Sequence, residues 1–131
     1  PGHLGYVGIT VDTEVMCGIE GGTVGMLFQN HDGPDASAED TSDLQIFSNI
    51  DADGQTQLAE LWYEQTLSDE QLRVTIGKID VNALFVFVDN GAEFIHSSPG
   101  FSPTIVGFPS YPDPAMSASI FYQPDGSVYV G

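Results

Sequence analysis

Every second residue of 72–79 is apolar at first, with Leu72, Val74 and Ile76 alternating with Arg73, Thr75 and Gly77. Successive side chains of an extended chain point to opposite sides, so such a run makes a strand with one apolar and one polar face. The same period runs through residues 6–15, where Val7, Ile9, Val11 and Val15 oppose Gly8, Thr10, Asp12 and Glu14. At 56–66 Ala59, Leu61 and Tyr63 oppose Glu60, Trp62 and Glu64. Residues 23–29 place Val24, Met26 and Phe28 on one side, with Leu27 blurring the other, and alternation returns at 118–123. No apolar run approaches the ~18 to 20 residues of a membrane helix. Any passage through a bilayer would have to use strands.

Turn residues connect these runs. Residues 18–22 turn the first two into a hairpin, and the tight link at 68–70 makes 56–66 and 72–79 an antiparallel pair. Residues 30–41, with Gly33, Pro34 and several acids, read as a loop before a short strand at 44–50, after which 51–55 turns the chain. From 80 to 116 the pattern breaks: five of the eight prolines lie there, with Phe85, Phe87, Phe94, Phe101, Phe108 and Tyr111. Within that segment, residues 81–88 fit a strand or a short helix equally. Irregular stretches of this length usually carry function. A turn at Pro124, Asp125 and Gly126 leads to a last strand from Ser127, which brings the total to about seven strands. The whole of 1–131 reads as a single domain.

Nineteen acids face two basic residues, Arg73 and Lys78, for a net charge of −17. Nucleic acid is excluded as a partner, because phosphate neutralisation needs clustered Lys and Arg. Asp32, Asp35, Glu39, Asp40, Asp43, Asp51 and Asp53 fall in one short stretch, which reads either as a solvated loop or as a divalent-cation site. Asp51, Ala52, Asp53 and Gly54 begin like a calcium loop but lack its later ligands. Ser97 and Ser98 beside His96 have no nucleophile elbow around them, and His3, His31 and His96 are dispersed, so neither an enzyme nor a cofactor is expected. Cys17 is the single cysteine, expected to be an inert packed thiol with no disulfide partner. The chain opens on Pro1 without an initiator Met and stops at Val130 and Gly131 in a strand-like run; both ends look cut.

Periodicity alone leaves a soluble β-sandwich and a membrane β-barrel nearly level. Trp62 between Glu60 and Glu64 tilts the balance, because a wet lumen explains an aromatic on the polar face better than a sandwich exterior does. Three blocks of sequence then become informative. They are Leu44-Gln45-Ile46-Phe47-Ser48-Asn49-Ile50-Asp51-Ala52, Leu58-Ala59-Glu60-Leu61-Trp62-Tyr63-Glu64-Gln65, and Leu72-Arg73-Val74-Thr75-Ile76-Gly77-Lys78-Ile79-Asp80-Val81-Asn82 with Phe85. Two more follow, Phe94-Ile95-His96-Ser97-Ser98-Pro99-Gly100-Phe101-Ser102-Pro103 and Pro109-Ser110-Tyr111-Pro112-Asp113-Pro114-Ala115. In this order, across residues 21–123, they resemble the carbohydrate-selective porin family of the OprB type.

The resemblance implies an all-β, antiparallel transmembrane barrel in the outer membrane of Gram-negative bacteria. It passes small sugars by passive diffusion, with inward-folded segments such as 80–116 narrowing the pore. About seven strands would be part of a ring of roughly 16 to 18. Outer-membrane lipid would surround it, and whether it forms a homotrimer stays open. The family tends to line its constriction with arginines, and here the candidates reduce to Arg73 and Lys78. The acid excess points instead to a cation-tolerant pore or a salty habitat.

A sugar pore needs aromatic faces for the apolar side of a pyranose and polar groups for its hydroxyls, in contacts weak enough for release. Glu60, Trp62, Glu64 and, on the paired strand, Arg73 fit that role; an interfacial aromatic girdle is the other reading of Trp62. Lys78 shares the parity of Val74 and Ile76. Either it snorkels from the strand end, or the strand breaks there and Lys78 joins Asp80 and Asn82 at the pore, the reading favoured here. Phe94, Phe101 and Tyr111 either shape the constriction or form the segment's own core. The rival class is a secreted acidic β-sandwich module that binds glycan or calcium. Barrels favour short periplasmic turns, which makes 68–70 periplasmic, yet counting back two strands puts the longer 30–41 loop on the same side, against the rule.

Overall fold

A computed structural model of the chain describes residues 3–33, 54–85 and 114–131. They form six antiparallel strands in one sheet, ordered as in the sequence. These are β1 (His3–Asp12), β2 (Gly22–Asp32), β3 (Gln55–Leu67), β4 (Leu72–Ile79), β5 (Ala115–Asp125) and β6 (Val128–Val130). Two short helices interrupt them, α1 (Thr13–Cys17) and α2 (Val81–Phe85). The chain is all-β, as expected. The strand expected at 44–50 lies outside the described residues.

The first strand stops earlier than its alternation predicts. The Asp12 side chain accepts the Glu14 N–H at 2.8 Å as a helix N-cap, and α1 takes over before Val15. Gly18, at φ 78°, ends the helix in the left-handed conformation that glycine adopts without steric cost. The second strand runs on through Asn30, His31 and Asp32, where polar composition predicted a loop. Asn30 bridges its neighbours, with His3 Nε2 2.7 Å from its Oδ1 and its Nδ2 donating to Thr56 Oγ1 at 2.7 Å. Residues 81–85 resolve to a helix. The turn between β3 and β4 holds Ser68, Asp69 and Glu70 all at positive φ and is closed by Gln71 N donating to Ser68 O at 3.2 Å. Three left-handed non-glycine residues in a row are costly, so the flanking strand pairing must hold this turn in place. The fifth strand starts at Ala115, within the stretch expected to be irregular, and runs through Pro124. Its register with β6 shifts between Tyr122 and Asp125, and such an irregularity is where a strand tolerates proline.

The chain divides into two compact units, residues 1–6, 29–57 and 80–113, and residues 7–28, 58–79 and 114–131. In the second unit, continuous register fixes which side chains share a face. Trp62 pairs with Gly77, and Gly77 with Ser117; Glu64 pairs with Thr75, and Thr75 with Ser119. Glu60, Trp62, Glu64, Arg73, Thr75, Ser117, Ser119 and Phe121 therefore line one side. The other side carries Leu61, Val74, Ile76, Met116, Ala118 and Ile120. That apolar side is uncovered: Ile76 is 55% exposed, Ile120 60% and Met116 78%. Among the described residues, only Ala59 and Ile79 are buried apolar side chains. A water-soluble domain covers the apolar face of its sheet with a second layer, and the described residues supply none.

Strand direction settles the mismatch in loop lengths. Because β2 and β3 are direct antiparallel neighbours, the connection 33–54 leaves from the end opposite the 68–71 turn. The connection between β4 and β5 leaves from that same opposite end. All the short links, through α1, 68–71 and 126–127, then share one end, and both long connections share the other. Counting a further strand between β2 and β3 in the sheet does not hold, because these two are direct neighbours.

Candidate functional site

The polar face of β3, β4 and β5 is a connected surface. Glu64 lies at its centre: Thr75 Oγ1 donates to Glu64 Oε2 at 2.9 Å, and Arg73 Nε lies 3.7 Å from the same oxygen. The Arg73 guanidinium also sits over the Phe121 ring, 4.9 Å from its centroid, where the ring's negative face attracts it. This holds a long, half-exposed side chain close to the wall. Two residues along β3, the Trp62 indole Nε1–H donates to Glu60 Oε2 at 3.3 Å. Ser119 Oγ is buried beside this cluster without a hydrogen-bond partner.

Of the residues singled out from the sequence, the sheet brings Glu60, Trp62, Glu64 and Arg73 onto one face. Lys78 is placed on the other. β4 continues without a break to Ile79, and Lys78 pairs with Leu61 and Met116, so a strand break at Lys78 does not occur. Its Nζ donates to the Leu58 carbonyl at 2.6 Å, which returns an ammonium from the apolar side to a polar partner. Asp80 follows β4 directly, and Asn82 belongs to α2, its side chain outside the described residues. Phe94, Phe101 and Tyr111 also lie outside them. Sequence reasoning missed Thr75, Ser119 and Phe121. Thr75 reaches Glu64 across the tight β3–β4 pair, whereas Ser119 and Phe121 join this face only because β4 pairs with β5 across some thirty-five intervening residues, a non-local fact that periodicity does not carry.

The apolar side has its own fittings near the short-link end. Thr13 is buried, donating its hydroxyl to Ile19 O at 2.8 Å. Tyr63 donates to Gln65 Oε1, and Gln65 Nε2 donates to Glu20 O at 2.9 Å. The phenol thus lies on the apolar side with its hydroxyl satisfied by a hydrogen bond. Among the described residues no group of three or more His, Cys, Asp and Glu side chains could hold a metal ion, and no helix is long and apolar enough to cross a membrane.

A sheet with one uncovered apolar face and one polar, charge-paired face has the makings of a channel wall. Comparison with known proteins points the same way. The chain matches the carbohydrate-selective porin, OprB family over residues 3–131. No curated protein and no solved structure matches it. That family comprises transport channels rather than enzymes and places its members in the Gram-negative outer membrane. With nearly its whole length matched, and a sheet that forms part of a porin barrel wall, this chain belongs to the carbohydrate-selective porins of the OprB family.

Proposed function

We propose that the complete barrel passes mono- and small oligosaccharides by passive diffusion, with Glu60, Trp62, Glu64 and Arg73 on its lumenal wall. The observation that carries this reading is the two-sided sheet: Leu61, Ile76, Met116 and Ile120 are exposed on one face of β3, β4 and β5, and the opposite face carries the hydrogen-bonded pair Trp62–Glu60 and the group Arg73, Glu64 and Thr75. Hydrocarbon suits the first face and water the second. Trp62 gives a sugar an aromatic surface, and Glu60, Glu64 and Arg73 give its hydroxyls partners to exchange with during transit. No chemical step is involved, so binding must stay weak. Asp80, Asn82, Phe94, Phe101 and Tyr111 contribute at the constriction in this proposal, while Lys78 serves as an anchor on the lipid side. Short turns favour the periplasm. The α1, 68–71 and 126–127 links therefore face inward, and the long connections 33–54 and 80–114 face outward. A sandwich that binds glycan or calcium would need a second sheet over Ile76 and Ile120, which the described residues do not provide.

Sugar block of ion current through the reconstituted channel tests the proposal. Trp62→Ala is expected to raise several-fold the sugar concentration that halves the current. An unchanged concentration would remove Trp62 from the sugar path.

A further inference from the structure

We infer that Gly25 is a positioning residue for sugar passage: it is the seat on which the Trp62 indole lies flat, leaving the ring's opposite face toward the lumen. This rests on Trp62 being a sugar contact, as proposed above. A Cβ built on Gly25 would fall 2.8 Å from Trp62 Cη2, and closer still to Cε2 and Cζ2, at equal distances from those two. A point approaching the Cε2–Cζ2 bond in the ring plane would be much farther from Cη2 than from the other two atoms. Such similar distances to three consecutive atoms therefore place Gly25 beneath the face of the six-membered ring. Gly25 is buried and Trp62 is half-buried, as one covered face requires.

The strand on the other side completes the arrangement. Trp62 pairs there with Gly77, at φ 146°, where a Cβ would stand 2.6 Å from Trp62 Cα and 3.0 Å from its Cβ. Glycine thus flanks Trp62 on both neighbouring strands, and neither of these two neighbours brings a side chain to the wall beside it. The bond from Nε1 to Glu60 Oε2 fixes the ring's rotation in its plane. A cross-strand aromatic over glycine also stabilises a sheet, so the test must separate seating from stability. The ligand this geometry favours is a neutral pyranose with a continuous C–H face, which stacks on the open side of a ring that is already oriented and pays little ordering entropy.

The experiment is a double-mutant cycle on the reconstituted channel, read as sugar block of current alongside unblocked conductance. Gly25→Ala is expected to weaken block several-fold, close to the effect of Trp62→Ala, with conductance in salt within about twofold of the parent. The pair together should weaken block no further than Trp62→Ala alone, the non-additivity of groups acting as a unit. Block unchanged in Gly25→Ala but weakened in Trp62→Ala overturns the seat and leaves the sugar contact standing; block unchanged in both overturns the sugar contact. If Gly25→Ala does not assemble, Gly25→Ala with Trp62→Phe, which removes the overlapping ring, should assemble with weakened block. Failure of that variant to assemble, or normal block from it, also overturns the seat.

Discussion

Arginine in place of Ile76 is expected to destabilise the barrel in a bilayer by about 2–4 kcal/mol, although Ile76 is already 55% exposed. On a soluble sheet, a polar residue at so open a position changes stability by roughly 0.5 kcal/mol or less. The loss of strand propensity from Ile to Arg adds about 1 kcal/mol at most. The lipid cost is therefore the larger quantity, and the size of the effect reports what the face touches. Ile76 lies mid-way along β4, between Tyr63 on β3 and Ala118 on β5, away from the strand ends where a long cationic side chain can reach the interface. The matched control is Ser117→Arg on the opposite face, expected to cost less than about 1 kcal/mol. Denaturant unfolding of both variants in lipid vesicles measures the difference. Equal, small effects would mean that Ile76 faces water.

The second large effect is on ion selectivity. On the proposed lumenal wall, Glu60 and Glu64 face one cation, Arg73, which lies 3.7 Å from Glu64 and is matched by it. The short links add Asp12, Glu14, Glu20, Asp69, Glu70 and Asp125 at one end of the sheet, with no lysine or arginine among them. Charge gathered at a mouth with low-dielectric walls raises the local concentration of counter-ions. The reconstituted channel is accordingly expected to prefer cations over anions several-fold in a potassium chloride gradient around 0.1 M, where fields reach about 10 Å, and to lose most of that preference near 1 M, where they reach about 3 Å. Reversal potentials measure it. A potential of the anion-selective sign at low salt would contradict this reading of the wall.

How much of this was legible in the sequence depended on whether the deciding contact was local. The start of β4 was readable to the residue, because Leu72, Val74 and Ile76 alternate with Arg73, Thr75 and Gly77, but the favoured break at Lys78 does not occur: pairing with Leu61 and Met116 carries the strand on to Ile79. The grouping of Glu60, Trp62, Glu64 and Arg73 followed from the same period and a short turn. The end of β1 was misread since Val15 prolongs the alternation, even though Asp12 and Gly18 carry the start and stop signals of a short helix. Asn30 to Asp32 looked like loop, and their strand character comes from partners at His3 and Thr56, more than twenty residues away in either direction. Phe121 over Arg73 and the glycine beneath Trp62 lay beyond reach for the same reason: both depend on pairing between strands that are not joined by a tight turn.

The account's central claim is that one face of this sheet meets hydrocarbon and the other water. Nitroxide scanning tests it most directly, in vesicles, on the channel with Cys17, which is exposed and not packed as its sequence context suggested, replaced by serine. Labels at Val74, Ile76, Ala118 and Ile120 should collide mainly with dissolved oxygen, and labels at Arg73, Ser117 and Phe121 mainly with a water-soluble nickel reagent, alternating with a period of two along β4 and β5. Nickel accessibility that is equally high on both faces would contradict the claim.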